Sequence, residues 1–453
     1  MRTYSVPRFA VPVLILLLAG SRADAQLKRE LAEAKTRAYA DSARLVDIFK
    51  DLHQHPELGF GETRTAAFLA KELQSLGYQV ITGIGKTGLA AIFHNGEGPT
   101  VLYRTEMDAL PIKEATGLSY ASSQIVSKGD GSQVPVMHAC GHDAHMSWML
   151  GIARIMKEMK NDWKGTLVFI AQPAEEILTG ADSMVKDNLY GRGVPLPDFA
   201  MAMHTLPLAV GIVQNCAGTI MPGSDVFDVT FNGIGGHGSS PHLAKDPVIM
   251  GATAILEYQT IVNRSISAQN PHVITVGSMV AGSTNNVIPS LAILKVNLRW
   301  FNWADRMAMI EGINRVDSSI AFANNLPAEL YPSVVMKGMV YPVRNDTALV
   351  NKINGALSLW VPADQIISRA LPMMVSEDFP YLVMRNKNNT PYDFLQVGIA
   401  DPELCRQAKS QGKQFPFFNH NPNFVVDLSA LPYGTAVGAS ALLGIFGQSA
   451  SSR

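Results

Sequence analysis

Several clusters of thiol, imidazole and carboxylate side chains along the chain could bind metal ions or transfer protons. They are Glu106-Met107-Asp108, Cys140-Gly141-His142-Asp143, Glu175-Glu176, His204 and His420. Thiolate, imidazole and carboxylate groups are the common protein ligands of zinc and related divalent metals. A Cys-x-His pair alone is frequent by chance, but the acidic pair and the histidines further along the chain favour a metal site.

The adjacent acids Glu175 and Glu176 are the most informative pair. They follow the apolar run from Thr166 to Gln172. Two carboxylates at the end of a buried strand repel each other unless a cation or a proton offsets their charge. One of them could then bind a metal while the other takes a proton from water, as a hydrolytic site requires. The alternative is an exposed loop with two solvated acids, which composition alone favours.

The elements that must position these clusters are of the α/β type. In an open α/β sheet the carboxyl ends of the strands form the ligand crevice, and the first four clusters fall at predicted strand ends. We predict a mixed, mostly parallel sheet flanked by helices. The predicted helices are Leu27–Phe49, Thr63–Leu76, Ala144–Met159 and Gly180–Lys186, and the predicted strands are Gln79–Ile81, Gly88–Phe93, Thr100–Thr105, Gly165–Ala171 and Phe199–Met203.

A second, inserted domain is predicted after Pro222-Gly223, where the order of elements becomes β-α-β-β-α-β, as in ferredoxin-like folds. Signals of the first kind resume near Thr347. We therefore predict a discontinuous catalytic domain over residues 26–223 and 339–453, and a lid or dimerisation domain over 224–338. The predicted elements of the inserted domain are Asp225–Phe231, Pro247–Val262, His272–Val280, Ala292–Phe301, Asp305–Asn324 and Ala328–Met336.

Composition and the N-terminal segment limit the partners and the location. The 453 residues carry a formal charge of −1, which leaves no cationic excess for a nucleic acid backbone. Residues 1–25 resemble a cleavable export signal, because Arg2 and Arg8 precede the apolar run from Phe9 to Ala19 and a small-residue pattern ends at Ala25. We predict an exported protein, periplasmic or secreted, with no membrane span after removal of the signal.

A series of segments resembles the aminoacylase-type dinuclear metallopeptidases, in the branch of hippurate hydrolases, N-acyl-amino-acid amidohydrolases and auxin-conjugate hydrolases. The segments occur in order across nearly the whole mature chain. They are HQHPELGFGE (53–62), MDALPI (107–112), HACGHDAHM (138–146), QPAEE (172–176), MAMHTLP (201–207), GGHGSSPH (235–242), NNVIP (285–289), SEDF (376–379) and HNPNF (420–424).

The resemblance implies two divalent metal ions per chain as cofactors, with zinc, manganese, cobalt or nickel as candidates. Cys140 would be the bridging ligand, and Glu175 would be the general acid/base. The implied metal ligands are Cys140, His142, Glu176, His204 and His420.

The resemblance also implies roles for three residues of the inserted domain. His237 would polarise the scissile carbonyl, commonly at the site of the partner in a homodimer formed through this domain. Asn286 would face the substrate. Arg299 would either pair with the substrate carboxylate or brace the lid, and both readings stay open.

The predicted function is metal-dependent hydrolysis of the amide bond of small N-acyl or N-aroyl amino acids, or of short peptides in the manner of a carboxypeptidase. Two alternatives remain. One is a thiol hydrolase with Cys140 as nucleophile and His142 as base, which leaves the other ligand candidates unexplained. The other is an exported protein that binds amino-acid conjugates on the same fold without cutting them.

Overall fold

The computed structural model describes residues 10–127, 131–384 and 390–447, with side chains from residue 25 onward. Within these residues the chain forms two compact units. Unit 1 contains the chain up to Gly218, Asn345–Ala370 and the chain from Tyr381, and unit 2 contains Thr219–Arg344 and Leu371–Pro380. The basic start of the predicted export signal lies outside the described residues, and the backbone is helical from Ala10 to Ala40.

Unit 1 is built around an eight-stranded sheet. Its four central strands run parallel to one another, whereas antiparallel pairs occur toward both edges. The mostly parallel α/β architecture predicted from the sequence is therefore confirmed. In spatial order the strands are Gln79–Ile84, Gly88–Asn95, Gly165–Gln172, Thr100–Glu106, Phe199–Ala209, Tyr392–Ala400, Val213–Gln214 and Ile366–Ile367.

The helices of unit 1 pack their apolar residues into one large core with the sheet. Ala430–Gly447 is long and apolar enough to span a membrane, but 94% of it is buried, so it is a core helix. The predicted helix from Leu27 to Phe49 is wrong in one respect, because the helix is interrupted at Asp41, which disfavours a helix interior. The helices are Ala10–Ala40, Ser42–Gln54, Thr63–Ser75, His142–Glu158, Gly180–Lys186, Thr347–Leu357, Pro380–Met384, Pro402–Ser410 and Ala430–Gly447.

Unit 2 contains a four-stranded antiparallel sheet with its own apolar core. In spatial order the strands are His272–Ala281, Leu291–Trp300, Gly223–Asn232 and Ser333–Val340, and the helices are Pro247–Thr260, extended by a π-turn over Ile261–Ser265, and Trp303–Ala323. Along the chain these long elements follow the order β-α-β-β-α-β. The role of unit 2 as a lid or a dimer surface stays a prediction.

The last strand of unit 2 begins later than expected from the sequence. Residues Ala328–Leu330 form a 3-10 turn, and the strand starts at Ser333. Pro332 has no amide hydrogen to donate to the neighbouring strand, so regular pairing begins only after it. The remaining short elements are two further 3-10 turns, Pro241–Leu243 and Ala363–Gln365, and the two-stranded ribbons Ile125–Ser127 with Gln133–Pro135, Gly236–His237 with Val287–Ile288, and Gly218–Met221 with Val343–Asn345.

The units divide at residues 218 and 345, a few residues from the predicted boundaries, and unit 2 also takes in Leu371–Pro380. Ser376 explains this addition, because its Oγ donates to the carbonyl oxygen of Pro222 at 3.0 Å and accepts from Arg299. The amide of Met373 also donates to the carbonyl oxygen of Ile220 at 2.9 Å. No periodic pattern marks such a segment in the sequence.

Candidate metal centre

Cys140 lies in a turn directly before the helix His142–Glu158. Gly141 has a φ of +86°, and a Cβ at this position would lie 2.7 Å from side-chain atoms of Thr205, so the turn requires glycine. The Thr205 Oγ1 donates a hydrogen bond to the carbonyl oxygen of Cys140 at 2.8 Å. The strand that carries His204 therefore also fixes the turn that carries Cys140 and His142.

His142 is fully buried and is oriented by the backbone of Asp108. Its Nδ1 lies 2.8 Å from the carbonyl oxygen of Asp108. Its Nε2 consequently points at two carboxylates, with 3.8 Å to Glu176 Oε1 and 3.9 Å to Glu175 Oε2. Neither His142 Nε2 nor Glu176 Oε1 has a hydrogen-bond partner among the described residues, and both atoms are buried. Such atoms are rare in folded proteins and mark a position where a ligand is expected.

Cys140 and His204 form the second side of the cluster. The Sγ of Cys140 lies 3.6 Å from His204 Nε2, and His204 Nδ1 lies 2.7 Å from the carbonyl oxygen of Thr205. Burial and the charge of Glu176 raise the pKa of Cys140, but His204 and His142 lower it to about 6. The thiol is therefore held in the thiolate form that binds metal.

His420 closes the cluster from a loop near the C-terminus. Its Nε2 lies 3.2 Å from Glu176 Oε2, and its amide donates to the carbonyl oxygen of Ala139 at 2.7 Å. Contacts with Cys140 and Glu176 raise the pKa of His420 to about 10. About half of its side chain (52%) is exposed, so this histidine stands at the solvent side of the cluster.

The structure contradicts the exposed-loop reading of Glu175 and Glu176. Only 7% of Glu175 and 7% of the Glu176 side chain are exposed. The two acids follow the strand Gly165–Gln172, and the amide of Glu176 donates to Asp108 Oδ2 at 2.9 Å. Side-chain atoms of Cys140, His142 and Glu176 all lie within 4.8 Å of one another, which is close enough to share an ion.

Residues 102–443 match the family described as peptidase family M20/M25/M40. The chain belongs to this family. It is 33% identical over 353 residues to the hippurate hydrolase of Campylobacter jejuni, which covers 77% of this chain and 87% of that protein. It is 36% identical over 340 residues to the N-acetyl-L-cysteine deacetylase of Bacillus subtilis, which covers 75% of this chain and 77% of that protein.

Solved structures agree with this assignment. The YXEP protein of Bacillus subtilis, described as a dinuclear metal-binding peptidase of the M20 family, superposes with a TM-score of 0.71 at 27% identity. The match covers 90% of this chain and 99% of that one. The resemblance read from the sequence motifs is thus confirmed, and the M20 chain is a metal-dependent amidohydrolase that uses divalent metal ions.

A layer of buried polar residues lies behind the M20 site and supports it. His145 Nδ1 lies 2.8 Å from Glu106 Oε2, and its Nε2 accepts the amide hydrogen of Thr205 at 2.8 Å. The other carboxylate oxygen of Glu106 binds Arg104. Burial lowers the pKa of His145 to about 3, so this imidazole stays neutral. Because both its nitrogens and both oxygens of Glu106 are engaged, we assign this group a supporting role and not a second metal site.

A buried ion pair beside the M20 site was not recognised from the sequence. His53 Nδ1 lies 2.6 Å from Asp143 Oδ2, and His53 Nε2 lies 3.2 Å from Glu114 Oε1. Burial lowers the pKa of His53, but the two carboxylates raise it to about 9. This charged bridge holds Asp143, the residue that follows His142. The only sequence signal was the position of His53 at the start of the segment HQHPELGFGE.

The three residues predicted to contact the substrate all lie in unit 2. His237 is exposed, its Nδ1 lies 2.7 Å from Ser239 Oγ, and the amide of Gly238 donates to the carbonyl oxygen of Asn286. This region lines a cleft of about 580 Å³ within unit 2. Arg299 lies on the strand Leu291–Trp300, where its Nε donates to Asn297 Oδ1 at 3.1 Å. The roles of all three toward a substrate stay predictions.

Proposed function

We propose that this M20 protein hydrolyses the amide bond of small N-acyl or N-aroyl amino acids, or of short peptides in the manner of a carboxypeptidase. The observation that carries the proposal is a pair of buried atoms, His142 Nε2 and Glu176 Oε1, which lie 3.8 Å apart and have no hydrogen-bond partner in the described part of the chain. Burying polar atoms without partners is costly, and a shared cation would remove that cost.

The donor set fits two divalent metal ions. The proposed ligands supply one thiolate, three imidazoles and one carboxylate, which suit zinc, cobalt, nickel or manganese, and metal availability decides among them. The resemblance to the family supports Cys140 as the proposed bridging ligand, and its Sγ lies 3.6 Å from Nε2 of His204, another proposed ligand. When bound, the metals would supply Lewis acidity that polarises the amide carbonyl and lowers the pKa of water. The proposed ligands are Cys140, His142, Glu176, His204 and His420.

Glu175 is the proposed general acid/base. Its Oε2 lies 3.9 Å from His142 Nε2, so it borders the cluster without being one of the proposed ligands. In the proposed reaction Glu175 removes a proton from the attacking water and then delivers it to the leaving amine. His237 would stabilise the oxyanion, Asn286 would contact the substrate, and Arg299 would pair with its carboxylate or brace unit 2.

The names of the relatives support this substrate class. One relative is a hippurate hydrolase and another an N-acetyl-L-cysteine deacetylase. These names describe enzymes that act on small amino acids with an acyl group on the nitrogen. A small-molecule substrate also agrees with the absence of a cationic excess in the sequence.

Export and dimer formation are further parts of the proposal. The pattern of residues 1–25 supports an exported, periplasmic or secreted protein. The strand Ser333–Val340 is an edge of the unit 2 sheet and exposes the apolar side chains of Val334, Val335 and Met336. Exposed edge strands readily pair with a second chain, which supports a homodimer through unit 2.

Two measurements test the proposal. A chelator should abolish cleavage of N-acyl amino acids, and added zinc, manganese, cobalt or nickel should restore it. Glu175→Gln should retain the metal content of the wild type and lose turnover by at least about a hundredfold, the usual contribution of a general acid/base. A wild type that binds the substrates but never cleaves them would instead establish the binding-protein alternative.

The thiol-hydrolase alternative requires a different result. Alkylation of Cys140 would then block the activity of the metal-free protein, whereas the proposed mechanism has no activity to block in that form. The geometry favours the metal site, because the Nε2 of His142 faces two carboxylates that a cysteine nucleophile would not use.

A further inference from the structure

We propose that Glu62 is a positioning residue of the M20 site, whose buried carboxylate fixes the backbone of Ala174 and thereby sets the position of Glu175. Glu62 is the last residue of the segment HQHPELGFGE. The proposed mechanism assigns no role to Glu62. The inference rests on the proposed function in one respect, since it takes Glu175 as the general acid/base.

The carboxylate of Glu62 is completely buried and contacts two groups. Its Oε1 accepts the amide hydrogen of Ala174 at 2.9 Å, and its Oε2 accepts the hydroxyl hydrogen of Thr87 at 2.6 Å. A buried carboxylate is costly unless its oxygens are satisfied by such donors. An apolar residue at this position would avoid that cost. The presence of an acid is explained if its contact with the amide of Ala174, the residue before Glu175, is needed.

The turn that Glu62 holds is strained and closely packed. Ala174 has a φ of +49°, a left-handed conformation that residues with a side chain seldom adopt unless their surroundings enforce it. A Cβ at Gly59 would lie 3.1 Å from Ala174, and a Cβ at Gly180 would lie 1.5 Å from the carbonyl oxygen of Pro173. The backbone thus approaches this turn closely on two sides.

A second carboxylate holds the other end of the same turn. Asp108 Oδ2 accepts the amide hydrogen of Glu176 at 2.9 Å. Glu175 consequently lies between two residues, Ala174 and Glu176, whose amides are each bound by a buried acid. Loss of the Glu62 contact would release only the Ala174 side, so it should displace Glu175 more than Glu176, the proposed metal ligand.

The predicted effect is therefore on the rate and not on the metal content. Glu62→Met keeps the length of the side chain but removes the acceptor, which leaves the Ala174 amide buried without a partner. Misplacement of a catalytic group by about 1 Å costs about a hundredfold in rate. We expect kcat to fall between about tenfold and a hundredfold, with KM little changed and the metal content equal to that of the wild type.

Two related variants separate positioning from general destabilisation. Glu62→Gln keeps an oxygen acceptor for the Ala174 amide, so its kcat should stay within about threefold of the wild type. Glu57→Met is the matched control. Glu57 lies in the same segment and accepts the amide hydrogens of Arg64 and Thr65 at 3.1 and 2.8 Å, and none of its side-chain hydrogen bonds to described residues reaches the Glu175 turn. This control should lose stability and keep its kcat.

Hydrogen–deuterium exchange of the metal-free protein supplies a readout that does not depend on activity. The amide of Ala174 should exchange at least about tenfold faster in Glu62→Met than in the wild type, as expected for a lost hydrogen bond. Its exchange should be unchanged in Glu57→Met, where the amides of Arg64 and Thr65 should exchange faster instead.

Three results would overturn the role of Glu62. They are wild-type kcat in a folded, metal-loaded Glu62→Met, wild-type exchange at Ala174 in that variant, and an equal loss of kcat in Glu57→Met. If Glu62→Met does not fold, Glu62→Asp decides the matter, because its shorter carboxylate withdraws the acceptor and should show the same losses. Full activity of Glu175→Gln would refute the proposed function. The exchange results would still test whether Glu62 binds the amide of Ala174 and restrains the turn.

Discussion

A methyl group added at Gly141 should disrupt the metal cluster, because it would clash with Thr205, which holds the turn that carries Cys140. A Cβ built on Gly141 lies 2.7 Å from both Cγ2 and Oγ1 of Thr205, at a φ of +86°. The left-handed backbone costs a residue with a side chain about 1–2 kcal/mol. Overpacking a buried site adds about 1–3 kcal/mol. We therefore expect Gly141→Ala to lower the free energy of unfolding by about 2–5 kcal/mol, the sum of these two costs.

Gly218→Ala is the matched control for this substitution. Gly218 has a φ of +83°, and a Cβ there would meet no atom within 4 Å among the described residues. The free energy of unfolding of Gly218→Ala should therefore fall only by the cost of the left-handed backbone, about 1–2 kcal/mol. Denaturant unfolding of both metal-free variants measures the difference. Elemental analysis of the loaded proteins should show that Gly141→Ala loses metal, since Thr205 also binds the Cys140 carbonyl.

Equal unfolding free energies in the two variants would refute this reasoning, and so would full metal content in Gly141→Ala. The substitution Thr205→Ala provides a further check, because it removes the two atoms at 2.7 Å and leaves Cβ at 3.2 Å. In the Gly141→Ala background it should recover part of the lost stability. Simple addition of the two single losses would contradict a direct clash, because clashing residues are expected to be coupled.

Three further predictions concern ionisable side chains. Burial raises the pKa of Asp317 to about 7 from 3.8, against the effect of its hydrogen bond with Tyr258. Between these values the unfolded chain releases a proton that the folded chain retains, so stability is lost as pH rises toward 7. The free energy of unfolding of Asp317→Asn, measured in denaturant, should thus exceed that of the wild type by up to about 4 kcal/mol above pH 7. Below pH 3.8 the two values should be equal. Asp108→Ala should weaken metal binding by about tenfold to a hundredfold in a metal titration, because it removes the acceptor that holds the amide of Glu176. Metal loading near pH 7 should release protons, measurable by calorimetry in buffers of different ionisation enthalpy, because the pKa values of His204 and His420 are raised to about 9 and 10.

Much of the fold could be predicted from hydrophobic periodicity, because long buried strands and amphipathic helices repeat their pattern over many residues. The limits appear where local chemistry overrides that pattern. Asp41 interrupts a periodic helix, and Pro332 delays the last strand of unit 2. The assignment of Leu371–Pro380 to unit 2 depends on contacts of Ser376 with Pro222 and Arg299, which are distant in sequence.

The convergence of the cluster could be anticipated only in part. Glu175 and Glu176 follow one strand of the large sheet and His204 lies on another, whereas Cys140, His142 and His420 come from a turn, a helix start and a loop outside that sheet. The supporting residues could not be anticipated, since each acts through a partner far along the chain. Glu62 holds an amide 112 residues away, and His53 pairs with an acid 90 residues away. Short motifs identify side chains with the right chemistry, but only the folded chain shows which backbone amide or ring nitrogen each of them reaches.

Three neighbouring histidines of the M20 site differ in the charge that their surroundings favour. His142 and His204 face the thiol and the carboxylates, and although burial lowers their pKa values, these anions raise them above the usual range. His145 lies in the layer behind, with ring centroids 5.3 and 4.5 Å from the other two, yet burial lowers its pKa to about 3. Its nitrogens are already used by Glu106 and the amide of Thr205. The anions of the site therefore favour positive charge on His142 and His204, where metal ions would replace the protons of these imidazoles, whereas His145 behind them stays neutral.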